Sequence, residues 1–218
     1  TIDRIVENNI RTAEIIKRVD PEAKIAAFVV SSLNYDYVTK LITGVKARNK
    51  QHLFHWVCYH GYGGNPDALV PDMRRLVEFV RKEVPEWRIW QGESGCASEE
   101  VQFALSGIDW TEYSHAKWNA RRMITDAGCG IDSLVFTVAD LAYHKDFISR
   151  YGLLKTNPDC SLTKVKQAYY MVQNVVSVFN ESLALDEKYQ VDDGGAKLLW
   201  FGWHDKKTGL DVVPYWNG

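Results

Sequence analysis

Apolar positions along the chain follow two spacings, one typical of helices and one typical of buried strands. In one set of segments apolar side chains recur every three or four residues, which predicts helices over 3–18, 31–49, 66–84, 112–128 and 161–182. Between them lie short segments that predict strands over 23–30, 52–62, 87–93 and 131–141; the first is a continuous apolar run, and the third alternates apolar and polar residues around the strand formers Ile89 and Trp90. Asp20-Pro21 ends the first helix, and Ser32 is a suitable N-cap for the second.

The order of these segments predicts the fold class. Strands that alternate with helices of crossover length indicate an α/β protein with a parallel sheet covered by helices. The predicted strands are too few to close an eight-stranded barrel, but they suit half of one. Residues 196–218 break the alternation, and their two apolar runs around "DKKTG" predict a β-hairpin.

Composition and charge exclude several classes of function. The 218 residues, 46% of them hydrophobic, suffice for one domain or for part of a larger one. The formal net charge is -2, so no basic excess is available to bind nucleic acid or an anionic membrane surface. No apolar run approaches the roughly 18 residues that cross a bilayer. The Gly-rich "GYGGNP" at 61–66 has neither the P-loop nor the dinucleotide-binding spacing.

The cysteines and the first residues leave the compartment open. Cys58, Cys96, Cys129 and Cys160 form no CxxC pair and have no accompanying His cluster, so no zinc site is predicted. We expect free, mostly buried thiols, with a Cys58–Cys96 bridge as the alternative, because both lie near strand ends. The opening "TIDRIVENN" carries no signal peptide or initiator Met, so we expect a mature product or a fragment. Secreted, periplasmic and cytoplasmic locations all stay open.

Polar and aromatic side chains follow the predicted strands where each one ends. In parallel α/β folds the functional site lies at the carboxyl ends of the strands. The residues at those ends are Ser31, Ser32, Tyr59, His60, Tyr62, Gln91, Glu93, Asp140, Tyr143 and His144. We therefore expect a rim of polar and aromatic groups around Glu93. Aromatic faces stack on sugar rings, and polar groups bind hydroxyls, so this rim favours a carbohydrate ligand.

Each candidate also has a purely structural interpretation. Glu93 lies in "RIWQGESG", where its glycine neighbours predict a tight turn that would leave the carboxylate solvated. His60 could bind a backbone carbonyl in the core, Asp140 could cap a turn, and Tyr62 could close the Gly-rich loop. Trp118 is expected to be a core residue on its helix.

Several segments together resemble a known family. In chain order they are "IIKRVDPEAKIAAF", "WVCYHGY", "IWQGESG", "AKWNARRMITDAGCGIDSLVFTVAD" and "GLLKTNPDCSLTKVKQAYYMVQNVV". Their order and spacing, over about residues 5 to 182, resemble the C-terminal half of a retaining clan A glycoside hydrolase, a (β/α)8 (TIM) barrel. The resemblance implies that the four strands are strands 5 to 8 of the barrel. It also implies that Glu93, at the end of strand 7, is the nucleophile.

Two departures from the family pattern affect the site. The family's acid/base Glu follows an Asn at the end of strand 4, and this chain begins after that strand; Glu7 of "VENN" lies within the first predicted helix. Strand 8 of the family often presents a Trp beneath the sugar, whereas this chain has Phe136. The substrate-binding residues that we predict are His60, Tyr62, Gln91, Phe136, Asp140 and Tyr143.

The resemblance implies a double-displacement mechanism that needs no metal and no organic cofactor. We predict half of a catalytic barrel over residues 1–183 and the start of a β-rich C-terminal module over 184–218. The substrate is a poly- or oligosaccharide, the expected partner is the missing N-terminal half of the barrel, and the isolated chain is expected to be inactive. One alternative is a non-catalytic carbohydrate-binding protein on the same fold. An aldolase-like barrel would need a Lys at a strand end, and Lys24 lies at a strand start.

Overall fold

A computed structural model describes residues 1–101, 104–144 and 147–217. The helices are α1 (Ile2–Val19), α2 (Tyr35–Lys46), α3 (Val70–Glu83), α4 (Glu112–Gly128) and α5 (Gln167–Val178). The first strands are β1 (Ala26–Val30), β2 (Trp56–His60), β3 (Arg88–Ser94), β4 (Asp132–Val135), β5 (Leu141–His144) and β6 (Phe147–Ser149). The later strands are β7 (Leu154–Thr156), β8 (Leu162–Val165), β9 (Leu183–Asp186), β10 (Leu198–Trp200), β11 (Gly202–Asp205), β12 (Asp211–Val212) and β13 (Tyr215–Asn217).

The chain divides into two compact units. Unit 1 comprises residues 1–61, 69–93 and 129–134, and unit 2 comprises 62–68, 94–128 and the residues from Val135 onward. None of the helices in the described ranges is long and apolar enough to cross a membrane. The predicted domain boundary at residue 183 stays a prediction.

Unit 1 is built on a sheet with the strand order β1-β2-β3-β4. β1 pairs with β2, and β2 with β3, in parallel, as their separation by helices requires. One face of the sheet is buried: Ala27, Val57 and Tyr59 are fully inaccessible to solvent. Together with the buried stripes of α1, α2 and α3 this face forms the core of the unit. On the opposite face Trp90 of β3 is exposed, whereas its neighbour Cys58 on β2 is buried.

Unit 2 has an aromatic core. Its buried members are Cys96, Ala97, Trp110, Trp118 and Tyr151. α4 packs along α5. The remaining strands form small antiparallel sheets, in which β5 pairs with β6, β7 with β8, and β10 with β13. β11 pairs on one side with β9 and on the other with β12, and "DKKTG" connects β11 to β12.

The predicted helix over 161–182 is wrong in its first turns. Residues Leu162–Val165 form β8, which pairs with β7, and the helix begins only at Gln167. Lys166 is the N-cap, and its ammonium group is fully buried beside Asp140. The helical spacing of apolar residues is a local influence. It is outweighed by the pairing of residues 162–165 with β7 and by the burial of the Lys166 charge beside Asp140.

Two further predictions change at their boundaries. The N-cap of α2 is Asn34, whose side chain accepts a hydrogen bond from the Tyr37 N–H, and not Ser32. The predicted strand over 131–141 ends at Val135, and Leu141 starts a separate strand. The four cysteines are free, as expected, and only Cys160 is exposed.

Candidate active site

Glu93 and His60 lie together at the carboxyl ends of β3 and β2. The Gly61 N–H donates a hydrogen bond of 2.8 Å to the Glu93 backbone carbonyl, which ties the two strand ends together. His60 Nδ1 lies 3.4 Å from Glu93 Oε2. The side chains keep 21% and 37% of their exposure, so both can reach a ligand from solvent. Unit 1 thus pairs a carboxylate with an imidazole at the position where parallel α/β proteins place their chemistry.

Gln91 does not share that position. It lies on the buried face of the sheet, fully inaccessible, and its Oε1 accepts a hydrogen bond of 3.2 Å from the Leu134 N–H. The amide therefore connects β3 to β4 inside unit 1. The prediction that Gln91 binds substrate is not supported, because a ligand would have to displace the core to reach it.

In unit 2 the Tyr62 ring contacts Phe136 and also Tyr151, a residue that the sequence does not indicate as part of a site. The Tyr62 ring packs edge-on against Phe136 and Tyr151, with centroids 6.3 and 6.2 Å away. The Tyr151 hydroxyl donates to the Ala104 carbonyl at 2.6 Å, and burial raises the pKa of Tyr151 to about 12. Tyr151 lies far from any predicted strand end, so no local pattern marks it.

The Gly-rich segment 62–68, which carries Tyr62, is held by α4. The Trp118 indole N–H donates to the Gly63 carbonyl at 2.9 Å, and Arg122 donates to the Pro66 carbonyl at 3.1 Å. Arg121 forms an ion pair with Asp67, which also accepts from the Trp216 indole N–H. The sequence predicts Trp118 to be a core residue. Its buried ring also positions the loop through a hydrogen bond.

Asp140 is enclosed by a network of charges within unit 2. Its carboxylate accepts from Lys166 Nζ at 2.6 Å, from Arg150 at 3.0 Å and from the Gly152 N–H at 3.0 Å. The Asp140 and Lys166 side chains have no solvent exposure. Glu99 continues the network by pairing with Arg150 at 2.8 Å. Asp140 is therefore bonded to three donors and its side chain is inaccessible, which favours a structural role over the predicted role in substrate binding.

Tyr143 is the most exposed of the predicted site residues. It keeps 62% of its surface and stacks on Phe147, with the ring centroids 5.5 Å apart at 23°. Both rings belong to the β5–β6 pair of unit 2. The side chain of His144 lies outside the described part of the structure. Of the predicted residues, unit 1 brings Glu93 and His60 together, and unit 2 brings Tyr62 and Phe136 together.

His115 of α4 gives unit 2 a defined response to acid. Burial, assisted by the positive charge of Lys166, lowers the pKa of His115 to about 4. In the unfolded chain this imidazole takes up a proton near pH 6.5, so the unfolded state binds more protons as the pH falls between those values.

We expect the free energy of unfolding to fall by about 3 kcal/mol between pH 6.5 and pH 4 through this group alone. Urea unfolding of wild type and of His115→Gln across that range measures it, since Gln cannot titrate. The carboxylates titrate in both proteins and cancel in the difference. A pH dependence that is equal in the two proteins would contradict the assignment.

Comparison with known proteins rests on structure alone. No protein family profile and no curated protein matches the sequence. Among solved structures, a GH2 β-galacturonidase from Eisenbergiella tayi is similar, with a TM-score of 0.55 and 13% identity over 80% of this chain. A thermostable mutant of a xylanase from Cellvibrio japonicus is similar over 78% of this chain, with a TM-score of 0.54 and 13% identity. A β-glucuronidase from Bifidobacterium dentium is similar over 75% of this chain, with a TM-score of 0.50 and 16% identity.

These similarities establish a class of fold. The chain is a mixed α/β protein whose fold is shared with part of several glycoside hydrolases. It spans 30% of the length of the β-galacturonidase, 54% of the xylanase and 26% of the β-glucuronidase. At this level of identity the likeness concerns the fold and not the reaction.

Proposed function

We propose that the chain is part of a retaining glycoside hydrolase in which Glu93 is the nucleophile. One observation carries the proposal. Glu93 is a partly exposed carboxylate at the carboxyl end of a parallel strand, 3.4 Å from His60, in a fold shared with glycosidases. The substrate class is a poly- or oligosaccharide, and the reaction is hydrolysis of a glycosidic bond.

The reaction proceeds in two displacements. A Glu93 carboxylate oxygen attacks the anomeric carbon, the bond to the leaving oxygen breaks, and a second carboxyl group protonates that oxygen. Water then attacks the glycosyl-enzyme ester, the second group accepts its proton, and Glu93 is released with the sugar configuration retained. His60, beside Glu93 Oε2, orients the attacking carboxylate.

The second carboxyl group belongs to a part of the enzyme outside these residues. Retaining enzymes hold the two carboxyl groups about 5 to 5.5 Å apart. β1 is followed by Ser31 and Ser32, and β2 by Gly61, so neither strand end in unit 1 offers a carboxylate to Glu93. We propose that residues 1–183 form the second half of a (β/α)8 barrel and that the first half supplies the acid/base. The exposed Trp90 ring on β3 is consistent with a surface that the first half covers.

Covalent trapping tests the nucleophile. The complete enzyme is treated with activated 2-deoxy-2-fluoro glycosides of several sugars, whose good leaving group needs no protonation. We expect one sugar to add to the tryptic peptide 89–117 and fragmentation to place it on Glu93. Glu99 and Glu100 lie in the same peptide and serve as internal controls. Label on Glu93 that is lost in Glu93→Gln supports the proposal.

The competing function is carbohydrate binding without catalysis, which the exposed Tyr143–Phe147 stack favours. Such a protein would bind the sugars, with signals of Tyr143 shifting in NMR spectra, and would leave Glu93 unlabelled. That outcome would replace the hydrolase proposal.

A further inference from the structure

The pairing of β2 with β3 shifts by one residue immediately before Glu93. Tyr59 lies opposite Gln91, but the next residue of β2, His60, lies opposite Glu93. Gly92 is therefore an extra residue on β3 with no partner on β2, which is a β-bulge. The sequence "IWQGES" gives no sign of this, because its glycine is equally compatible with a turn.

The bulge decides which face of the sheet carries the carboxylate. Side chains alternate between faces along a strand, so in a regular β3 Glu93 would share the face of Gln91. Gln91 is fully buried, whereas the Glu93 side chain keeps 37% of its exposure and lies beside His60. A shift of one residue in the register of a strand moves every following side chain to the other face of the sheet. The bulge at Gly92 is such a shift, and it lies immediately before Glu93.

Cys58 explains why the bulged residue is glycine. A Cβ added to Gly92 would lie 2.5 Å from Cys58 Sγ, which is far inside van der Waals contact. It would also lie 4.0 Å from Cδ2 of His60, so the same spot adjoins the imidazole. Cys58 is buried, and burial raises the pKa of its thiol; a hydrogen bond to the Gly92 backbone acts against this effect, and the nearby charge of Glu93 adds to it. The sulfur is therefore a neutral group that both packs beneath the bulge and bonds to the Gly92 backbone.

We propose that the Gly92 bulge is the positioning device of Glu93 and that the Cys58 sulfur beneath it restricts this position to glycine: the bulge turns the carboxylate onto the face of His60. The catalytic meaning of this device rests on the proposed function, but the placement of the carboxylate does not. Gly92 is a positioning residue, and Cys58 is the neighbour that excludes a larger residue there; neither is required to touch a substrate.

The decisive experiment is a rescue, read from the NMR signal of the His60 ring. In wild type, Glu93→Gln removes the charge beside His60, so the His60 Cε1–H resonance is expected to shift. In Gly92→Ala that response to Glu93→Gln is expected to be lost, because the added methyl group displaces Glu93 from the imidazole. In the double variant Gly92→Ala, Cys58→Ala the sulfur is gone, and the response is expected to return.

Matched variants keep the result interpretable. Cys58→Ala alone should retain the response, and Gly63→Ala should too, because a Cβ there meets nothing closer than 3.7 Å. If Gly92→Ala does not fold, the double variant still decides: a folded protein with the wild-type response supports the proposal. A double variant that is unfolded, or folded without the response, overturns it, as does a full response in Gly92→Ala alone.

The effect of the bulge on catalysis is measured from kcat and KM of the complete enzyme. Gly92→Ala is expected to lower kcat at least about tenfold with a smaller change in KM, because a misplaced nucleophile affects the transition state most. Cys58→Ala in the same protein is expected to recover most of that loss. If trapping on Glu93 fails while the His60 response follows the rescue pattern, the hydrolase proposal fails and the positioning device stands.

Discussion

The Glu93→Gln variant of the complete enzyme is expected to lose at least about 10⁴-fold in kcat while its fold is unchanged. The amide is nearly the same size as the carboxylate, so packing around β3 is preserved. It cannot attack the anomeric carbon, which removes the first displacement and not merely an orienting contact. Initial rates on an aryl glycoside, with circular dichroism as the check on folding, measure the effect.

A control and a chemical rescue separate a nucleophile from other roles of a carboxylate. Glu100→Gln removes an exposed glutamate from the same segment and should leave the rate unchanged. In Glu93→Ala, added azide can attack in place of the missing carboxylate as the aryloxide leaves, giving a glycosyl azide of inverted configuration. Near-wild-type activity in Glu93→Gln would exclude the nucleophile assignment. Robust hydrolysis by the 218-residue chain alone would contradict the expectation that the acid/base lies outside it.

The Asp140→Ala variant is expected to lower the free energy of unfolding by about 3 to 5 kcal/mol. Removing this carboxylate leaves the ammonium group of Lys166 buried without its partner at 2.6 Å. Desolvation already lowers the pKa of Lys166, and the ion pair with Asp140 acts against that effect. Urea unfolding monitored by tryptophan fluorescence measures the loss.

The exposed ion pair between Arg88 and Asp132 provides a matched control. Its atoms are also 2.6 Å apart, but the side chains keep 68% and 42% of their exposure. Asp132→Ala is therefore expected to cost no more than about 1 kcal/mol. The double variant Asp140→Leu, Lys166→Met should recover much of the loss, because neither charge of the fully buried pair remains and Arg150 keeps its ion pair with Glu99. Equal costs for Asp140→Ala and Asp132→Ala would contradict the buried network.

Local patterns predicted the elements of unit 1 well, and long-range contacts limited the prediction of the site. Apolar spacing alone predicts α1 and α3, because each helix has one stripe of buried side chains. The sequence places Gln91 and Asp140 near strand ends as polar residues, yet both side chains bind other parts of the protein. A polar residue at a strand end can satisfy its hydrogen bonds inward or outward, and its own sequence neighbours do not select between the two.

In α4, too, the sequence alone does not predict which polar side chains are buried. Its buried face carries His115, Asn119 and Arg122 in place of apolar residues. Arg122 is paired with Asp126 and bonded to the Pro66 carbonyl, a partner 56 positions away in the chain. A polar stripe at helical spacing predicts a solvated face, so only the partner that the fold supplies makes burial of these groups possible.

The sequence by itself determined the alternation of helices and strands, and with it the position of Glu93 at the carboxyl end of a parallel strand. Those properties follow from the spacing of apolar residues within each segment and from the order of the segments along the chain, and neither depends on contacts between distant residues. The tertiary structure decided the direction of the carboxylate, the burial of Asp140 and the place of Tyr151 beside Tyr62. Each of these depends on atoms that meet from distant parts of the chain, such as Cys58 Sγ against the backbone of Gly92. A bulge of one residue changes the face of a strand, and its register is set by the neighbouring strand rather than by the strand's own residues.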